Sequence, residues 1–225
     1  MITLEHVVKK YASAKNIHVV LDDLFFETVD KESVAISGRS GSGKTTLLNI
    51  ITGIDGDFEG TYQFGEHYLS QASSRERSAF RLEKLGIITQ QFDLLDDRVV
   101  FDNVALAIKH LKLSRNEQKE RVGKMLEYVG LPNYERKRIK QLSGGEMQRV
   151  AIARALVKEP EIIIADEPTG SLDEQTRGEI LSLFQKMMGD GTQFIIVTHD
   201  NEVANICDKV YLLENGKLKV SEVGQ

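Results

Sequence analysis

The 225-residue chain has a single cysteine, Cys207. No internal disulfide can form and no multi-cysteine zinc module can be built, which suits a reducing compartment. There is no excess of positive charge either: 29 Lys and Arg against 34 Asp and Glu leave a net of −5. A protein that grips nucleic acid through its phosphates carries a basic footprint, so no nucleic-acid partner is expected. No window approaches the roughly 18 consecutive apolar residues of a membrane span. The opening MITLEHVVKKY lacks the charged start and long apolar stretch of a secretory signal. A soluble chain is expected, with any membrane role passing through a partner. Internal repeats and low-complexity tracts are likewise absent.

What is present is ordinary globular material. Apolar residues make up 41%, and a chain of this length buries a sizeable core without staples. One domain with a subdomain is the default.

Apolar–polar alternation at Ile2, Leu4, His6–Val8, Val19, Leu21 and Phe25 predicts short antiparallel strands, with turns at Ala12–Asn16 and Asp22–Asp23. Ser33–Ser37 reads as a short buried strand running into a glycine-rich loop, Gly38–Gly43. Leu47, Leu48, Ile50, Ile51 and Ile54 then follow at helical spacing. Strands are expected at Thr61–Phe64 and Leu85–Thr89. The stretch from about Phe92 to Gln141 has helical periodicity, at Val104, Ala107, Ile108 and Leu111 and at Val122, Met125, Leu126 and Val129. Pro132 ends it. Strand and helix then alternate: helix 144–157, strand 162–166, helix 178–188, strand 194–198. That order argues for a parallel sheet with flanking helices. Val210–Leu213 and Leu218–Val220 around Asn215-Gly216 read as a hairpin on a type I′ turn.

Three segments carry chemistry. Gly38, Arg39, Ser40, Gly41, Ser42, Gly43, Lys44 and Thr45 fit G-x-x-x-x-G-K-[ST] between a predicted strand and a predicted helix. Glycines let the backbone wrap a polyphosphate, whose oxygens face the N–H groups of the loop and helix start. Lys44 supplies a cation at the β and γ oxygens. Thr45 offers a hydroxyl to Mg²⁺, and Thr46 a further hydrogen bond. Ile162–Ala165 is an apolar strand ending in Asp166 and Glu167, side chains delivered to the edge where ligands bind. Asp166 suits holding Mg²⁺ and Glu167 suits polarising a water; with the loop, they predict a hydrolase. Leu142-Ser143-Gly144-Gly145-Glu146 opens a helix with Ser143 as N-cap and two glycines exposing N–H groups to an anion.

The loop, LSGGE followed by Gln148-Arg149, and Asp166-Glu167, in this order, resemble the ATP-binding-cassette (ABC) ATPases. The resemblance runs from about Ile2 to Leu218. Further residues match in order. Gln90, or Gln91 one step on in register, resembles the glutamine that touches metal and water. Ser171-Leu172-Asp173 resembles the loop along the dimer interface. His199 resembles the γ-phosphate-sensing histidine, and Tyr11 the aromatic that stacks on adenine.

The resemblance implies an α/β fold: a P-loop NTPase core with an antiparallel β lobe and an inserted α-helical signature subdomain. In a single nucleotide-binding domain over 1–225, residues 1–91 and 158–225 would form the RecA-like core and β lobe, and 92–157 the helical lobe. It also implies ATP and Mg²⁺ as cofactors, with Thr45, Gln90 and Asp166 at the metal. A second copy of the chain would supply Ser143, Gly144 and Gly145 to each site in a head-to-tail ATP sandwich. A separate membrane permease would be driven from the cytoplasmic face of a bacterial membrane. The stretches RERSAFRLEKLG at 75–86, QQFDLL at 90–95 and DEPTGSLD at 166–173 are similar to the group serving lipoprotein release, macrolide export and antimicrobial-peptide export. The cell-division cassette, which signals without moving cargo, is similar too. Two positions depart from the pattern: Glu146 stands where many members carry Gln, and Thr89 where an aromatic is usual.

Overall fold

The computed structural model describes residues 1–12 and 16–221. The chain opens with strands β1 (Ile2–Ala12), β2 (Ile17–Glu27) and β3 (Val34–Ser37), then helix α1 (Lys44–Ile51). Strands β4 (Glu59–Phe64) and β5 (His67–Tyr68), helix α2 (Ser74–Lys84) and strand β6 (Leu85–Ile88) follow. Next come α3 (Val100–Ala105), α4 (Arg115–Tyr128), α5 (Gly144–Leu156), β7 (Ile162–Asp166) and α6 (Glu174–Gly189). The last elements are β8 (Gln193–Val197), α7 (Asn201–Asn205), β9 (Lys209–Glu214) and β10 (Lys217–Ser221). The chain divides into two compact units, residues 1–82 with 193–225 and residues 83–192.

The first unit contains an antiparallel sheet in the order β2-β1-β4-β5. The turn expected over 12–16 falls on residues 13–15, outside those described. The turn expected at Asp22–Asp23 is instead a bulge within β2. Leu21 and Leu24 are both buried three residues apart, a spacing that would put them on opposite faces of a regular strand. Asp23, at φ 52°, takes up the extra residue, opposite a second irregularity at His6, at φ 54°. The His6 Nδ1 and Asp23 Oδ1 lie 2.7 Å apart across the pair. In the same unit β3 lies between β8 and β9, parallel to both, and β9 turns back on β10. Residues 34–36 and 194–197 are all buried, the mark of strands covered on both faces. Asn215 and Gly216, at φ 51° and 75°, make the hairpin turn the sequence predicts.

Helix α1 buries Leu47, Leu48, Ile50 and Ile51 as expected, but Ile54 lies past its end and is exposed. Tyr62 of β4 donates its hydroxyl to the Ile51 carbonyl at 2.6 Å. Phe80 of α2 packs edge-on against Phe64, with ring centroids 4.9 Å apart.

The second unit pairs β6 with β7 in parallel and surrounds α5, against which α3, α4 and α6 pack. Ala107 and Leu111, expected on a helix, belong to a 3₁₀ segment, Leu106–Leu111. Helix α6 starts four residues before the expected 178, because Asp173 caps it by accepting from the Thr176 N–H at 3.0 Å.

Candidate functional site

In the first unit the residues from Gly38 onward leave the C-terminal end of β3. A Cβ on Gly38 would stand 2.6 Å from the Leu213 carbonyl oxygen, so only glycine fits there. Gly43, in left-handed backbone, is the N-cap of α1, and Thr45 and Thr46 form its first turn. Lys44 folds back and donates to the carbonyls of Gly38 (2.7 Å) and Arg39 (3.1 Å). The ammonium is thus anchored by the main chain of the loop itself. Arg39, Ser40, Gly41 and Ser42 also line a cavity of about 560 Å³. Its other walls are His18–Val20 of β2 and Leu212–Gly216 of the hairpin.

Tyr11 pairs with His18 across β1 and β2, so it stands beside that wall, with its ring half exposed. His199 follows β8. Because β8 runs parallel to β3 in the register Ile36↔Val197, His199 and the start of the loop leave the same strand ends. The Thr198 N–H donates to the Ile36 carbonyl at 3.1 Å. The first unit therefore brings together Tyr11, residues 38–46 and His199.

The second unit gathers Gln90, Asp166 and Glu167. Strands β6 and β7 are in register at Ile88↔Ala165, so Gln90 and the acid pair emerge from one edge. Asp166 and Glu167 are half-buried, and Glu167 has a strained φ of 45°. The turn after Glu167 closes by Gly170 N–H to the Glu167 carbonyl at 3.1 Å, and Ser171 Oγ donates to the Gln90 carbonyl at 3.3 Å. Past Gln91, Phe92 and Asp93 both have positive φ. Thr89 Oγ1 donates to Asp93 Oδ2 at 2.7 Å, and Arg154 holds the Phe92 carbonyl at 2.7 Å. Threonine, in place of an aromatic, thus braces the turn that follows Gln90.

The N-terminus of α5 is the third part. Ser143 is the N-cap: its Oγ accepts from the Glu146 N–H (3.2 Å), while its own N–H donates to Glu146 Oε2 (2.8 Å). This reciprocal capping box uses the hydroxyl as acceptor and leaves its hydrogen to donate elsewhere. Gly145 lies so close to Thr176 of α6 that a Cβ would overlap the Thr176 methyl.

A family model described as ABC transporter matches residues 21–170, two thirds of the chain. The chain belongs to the ABC transporter family. It is 38% identical over its whole length to an uncharacterized ABC transporter ATP-binding protein, YknY, of Bacillus subtilis (strain 168), covering 98% of that protein. It is 41% identical to the lipoprotein-releasing system ATP-binding protein LolD of Francisella tularensis subsp. tularensis (strain FSC 198), covering 98% of this chain and 96% of LolD. Among solved structures it is similar to the ATP-binding cassette MJ0796 in a dimeric post-hydrolysis state bound to ADP and Pi. There the TM-score is 0.90 and the identity 33%, with both chains covered completely. The fold expectation holds: this is a cassette with an antiparallel sheet, a parallel sheet and flanking helices, and an ATP-binding ATPase subunit by family.

Within the cassette, some residues have roles the sequence did not announce. Tyr134 donates its hydroxyl to Glu146 Oε1 at 2.6 Å, and Lys137 Nζ sits 3.4 Å from the Tyr134 ring centroid. The Tyr134 bond first, then the Ser143 N–H, holds the Glu146 carboxyl below its ordinary range. The S-x-x-E spacing of 143–146 signals the capping box, but nothing in the sequence marks Tyr134, twelve residues upstream on a loop. Asp173, expected at a dimer interface, caps α6, and its two bonds to Thr176 lower its pKa.

Proposed function

We propose that this ABC subunit closes head to tail on a second copy when ATP binds, and that hydrolysis lets the pair part. One observation carries the reading. A single chain holds a phosphate loop with its lysine in place and, on a different unit, an anion-ready helix start whose capping serine keeps a hydrogen to donate. In this reading Lys44 and the N–H groups of residues 38–46 bind the β- and γ-phosphates, and Tyr11 stacks on adenine. The partner copy's signature, from Ser143 to Gly145, meets the γ-phosphate, with Asp173 at the interface. Glu167 orients and polarises the attacking water, and His199 fixes charge on the γ-phosphate. Positioning and charge stabilisation supply most of the rate.

Thr45, Asp166 and Gln90 are oxygen donors, which fit a hard cation that takes its remaining ligands from phosphate and water. Mg²⁺ bound there neutralises charge developing on the transferred group.

The proposed work is release or export of a lipoprotein, peptide or antibiotic through a separate permease, a reading supported by the likeness to LolD. Among the described residues no helix is long and apolar enough to cross a membrane, so such work needs a membrane partner. On this reading the subunit works at the cytoplasmic face of a bacterial membrane.

The test is size analysis of Glu167→Gln with and without Mg-ATP, alongside steady phosphate release. Turnover is expected to fall by at least about 100-fold, with an ATP-dependent dimer retained; Lys44→Ala is expected to lose both. Absence of any ATP-dependent dimer overturns the reading.

A further inference from the structure

Gln148 lies five residues beyond Ser143, about 7.5 Å along α5. It is fully buried at 0% exposure, beside the buried Val150, Ala151 and Ile152 of the same helix. Its Nε2 donates to the Pro168 carbonyl at 2.7 Å, and its Oε1 is buried with no hydrogen-bond partner among the described residues. A leucine or methionine would fill this space without stranding an acceptor, so the amide is costly here for everything except its donor.

That donor reaches a particular place. Pro168 follows Glu167, whose φ of 45° is left-handed backbone, and a residue before proline is already restricted. Proline has no N–H, so its carbonyl is the one backbone group by which a side chain can grip it. The same helix, six residues on, grips the turn after Gln90 through Arg154 and the Phe92 carbonyl, at 2.7 Å. One rigid element thus carries the signature at its N-terminus and holds the turns next to Glu167 and Gln90 from its sides.

We propose that Gln148 is a positioning residue that couples the two nucleotide sites of the head-to-tail pair. Engagement of Ser143–Gly145 on the partner's nucleotide displaces α5, and Gln148 delivers that displacement to the Pro168 carbonyl and so to the Glu167 of its own chain. The proposal rests on the reading of Ser143 and Glu167 given above.

Two variants of the full chain test it. Gln148→Leu keeps volume and removes the donor; Gln148→Glu donates only when its carboxyl is protonated, which burial favours. Phosphate release is measured against ATP concentration and pH, and ATP-driven dimerisation is measured for each variant combined with Glu167→Gln. For Gln148→Leu, kcat is expected to fall about 10- to 100-fold with KM within about twofold. Its Hill coefficient should move toward 1, and the ATP-dependent dimer should persist. For Gln148→Glu, the kcat ratio to wild type should rise as pH falls from about 8 to about 6.

Unchanged kcat and Hill coefficient in Gln148→Leu overturns the proposal, as does loss of its ATP-dependent dimer, which marks a merely structural role. If Gln148→Leu shows no cooperative melt, Gln148→Glu decides alone: a pH profile parallel to wild type overturns the proposal. Wild-type-like turnover in Glu167→Gln overturns this proposal and the reading beneath it together. An inactive Glu167→Gln beside a wild-type-like Gln148→Leu overturns this one only.

Discussion

The loop at 38–46 and the helix start at 143–146 hold a working side chain in place by opposite means. In the loop the scaffold is main chain: Gly38 presses on the Leu213 carbonyl, and Lys44 is anchored by the carbonyls of Gly38 and Arg39. At the helix start the scaffold is side chains, with Ser143 held by Glu146 and Glu146 held by Tyr134. A main-chain cradle leaves no room for a side chain at Gly38, because what a Cβ would meet there is the Leu213 backbone, which no substitution removes. A side-chain brace can be exchanged piece by piece.

That contrast can be broken most sharply by paired substitutions. Gly38→Ala is expected to destabilise by about 3 kcal/mol, since the obstacle is backbone and the residue sits at φ 154°. Gly145→Ala is expected to cost about 2 kcal/mol. Thr176→Ser, which removes the offending methyl and keeps the hydroxyl bonded to Asp173, should restore most of that loss. Urea titration of the single and double variants reads both. A side-chain substitution that rescues Gly38→Ala equally well would erase the distinction.

A smaller effect is expected from Tyr134→Phe. Losing its bond to Glu146 should lower stability by about 1 kcal/mol and leave nucleotide affinity of the loop unchanged, read by urea titration and nucleotide titration together. A pH-dependent effect is expected at the far end of α5. Burial lowers the pKa of Lys158 to about 8, so the folded chain sheds this proton before the unfolded chain does. Stability therefore rises with pH between about 8 and the ordinary lysine value near 10.5. Lys158→Met should flatten that rise in thermal melts at a series of pH values, again without touching the loop.

The same contrast explains what could be read in advance. Residues 38–46, Asp166-Glu167 and the Asn215-Gly216 turn are legible because local residue types alone dictate their geometry. Helix α2 carries no such signal: of its eleven residues only Phe80 is buried, so no apolar period exists to be seen. Helix α7, at five residues, is too short to show one. Asp22-Asp23 looks like a turn and is a bulge, because Leu21, Leu24 and the bond from the Asp22 N–H to the Gly216 carbonyl at 3.0 Å keep the strand going. Tyr134 and Gln148 matter through partners twelve and twenty residues away, a relation that no local pattern encodes.

The hairpin of β9 and β10 has a practical consequence. The end of β9 and its turn, Leu212–Gly216, form one wall of the cavity at the phosphate loop, and the Leu213 carbonyl fixes the space available to Gly38. Trimming or fusing the chain near residue 217 would therefore remodel a pocket whose defining motif lies some 170 residues earlier. Tags for purification or labelling belong elsewhere on this molecule, and a C-terminal one should be removed before any nucleotide affinity is compared.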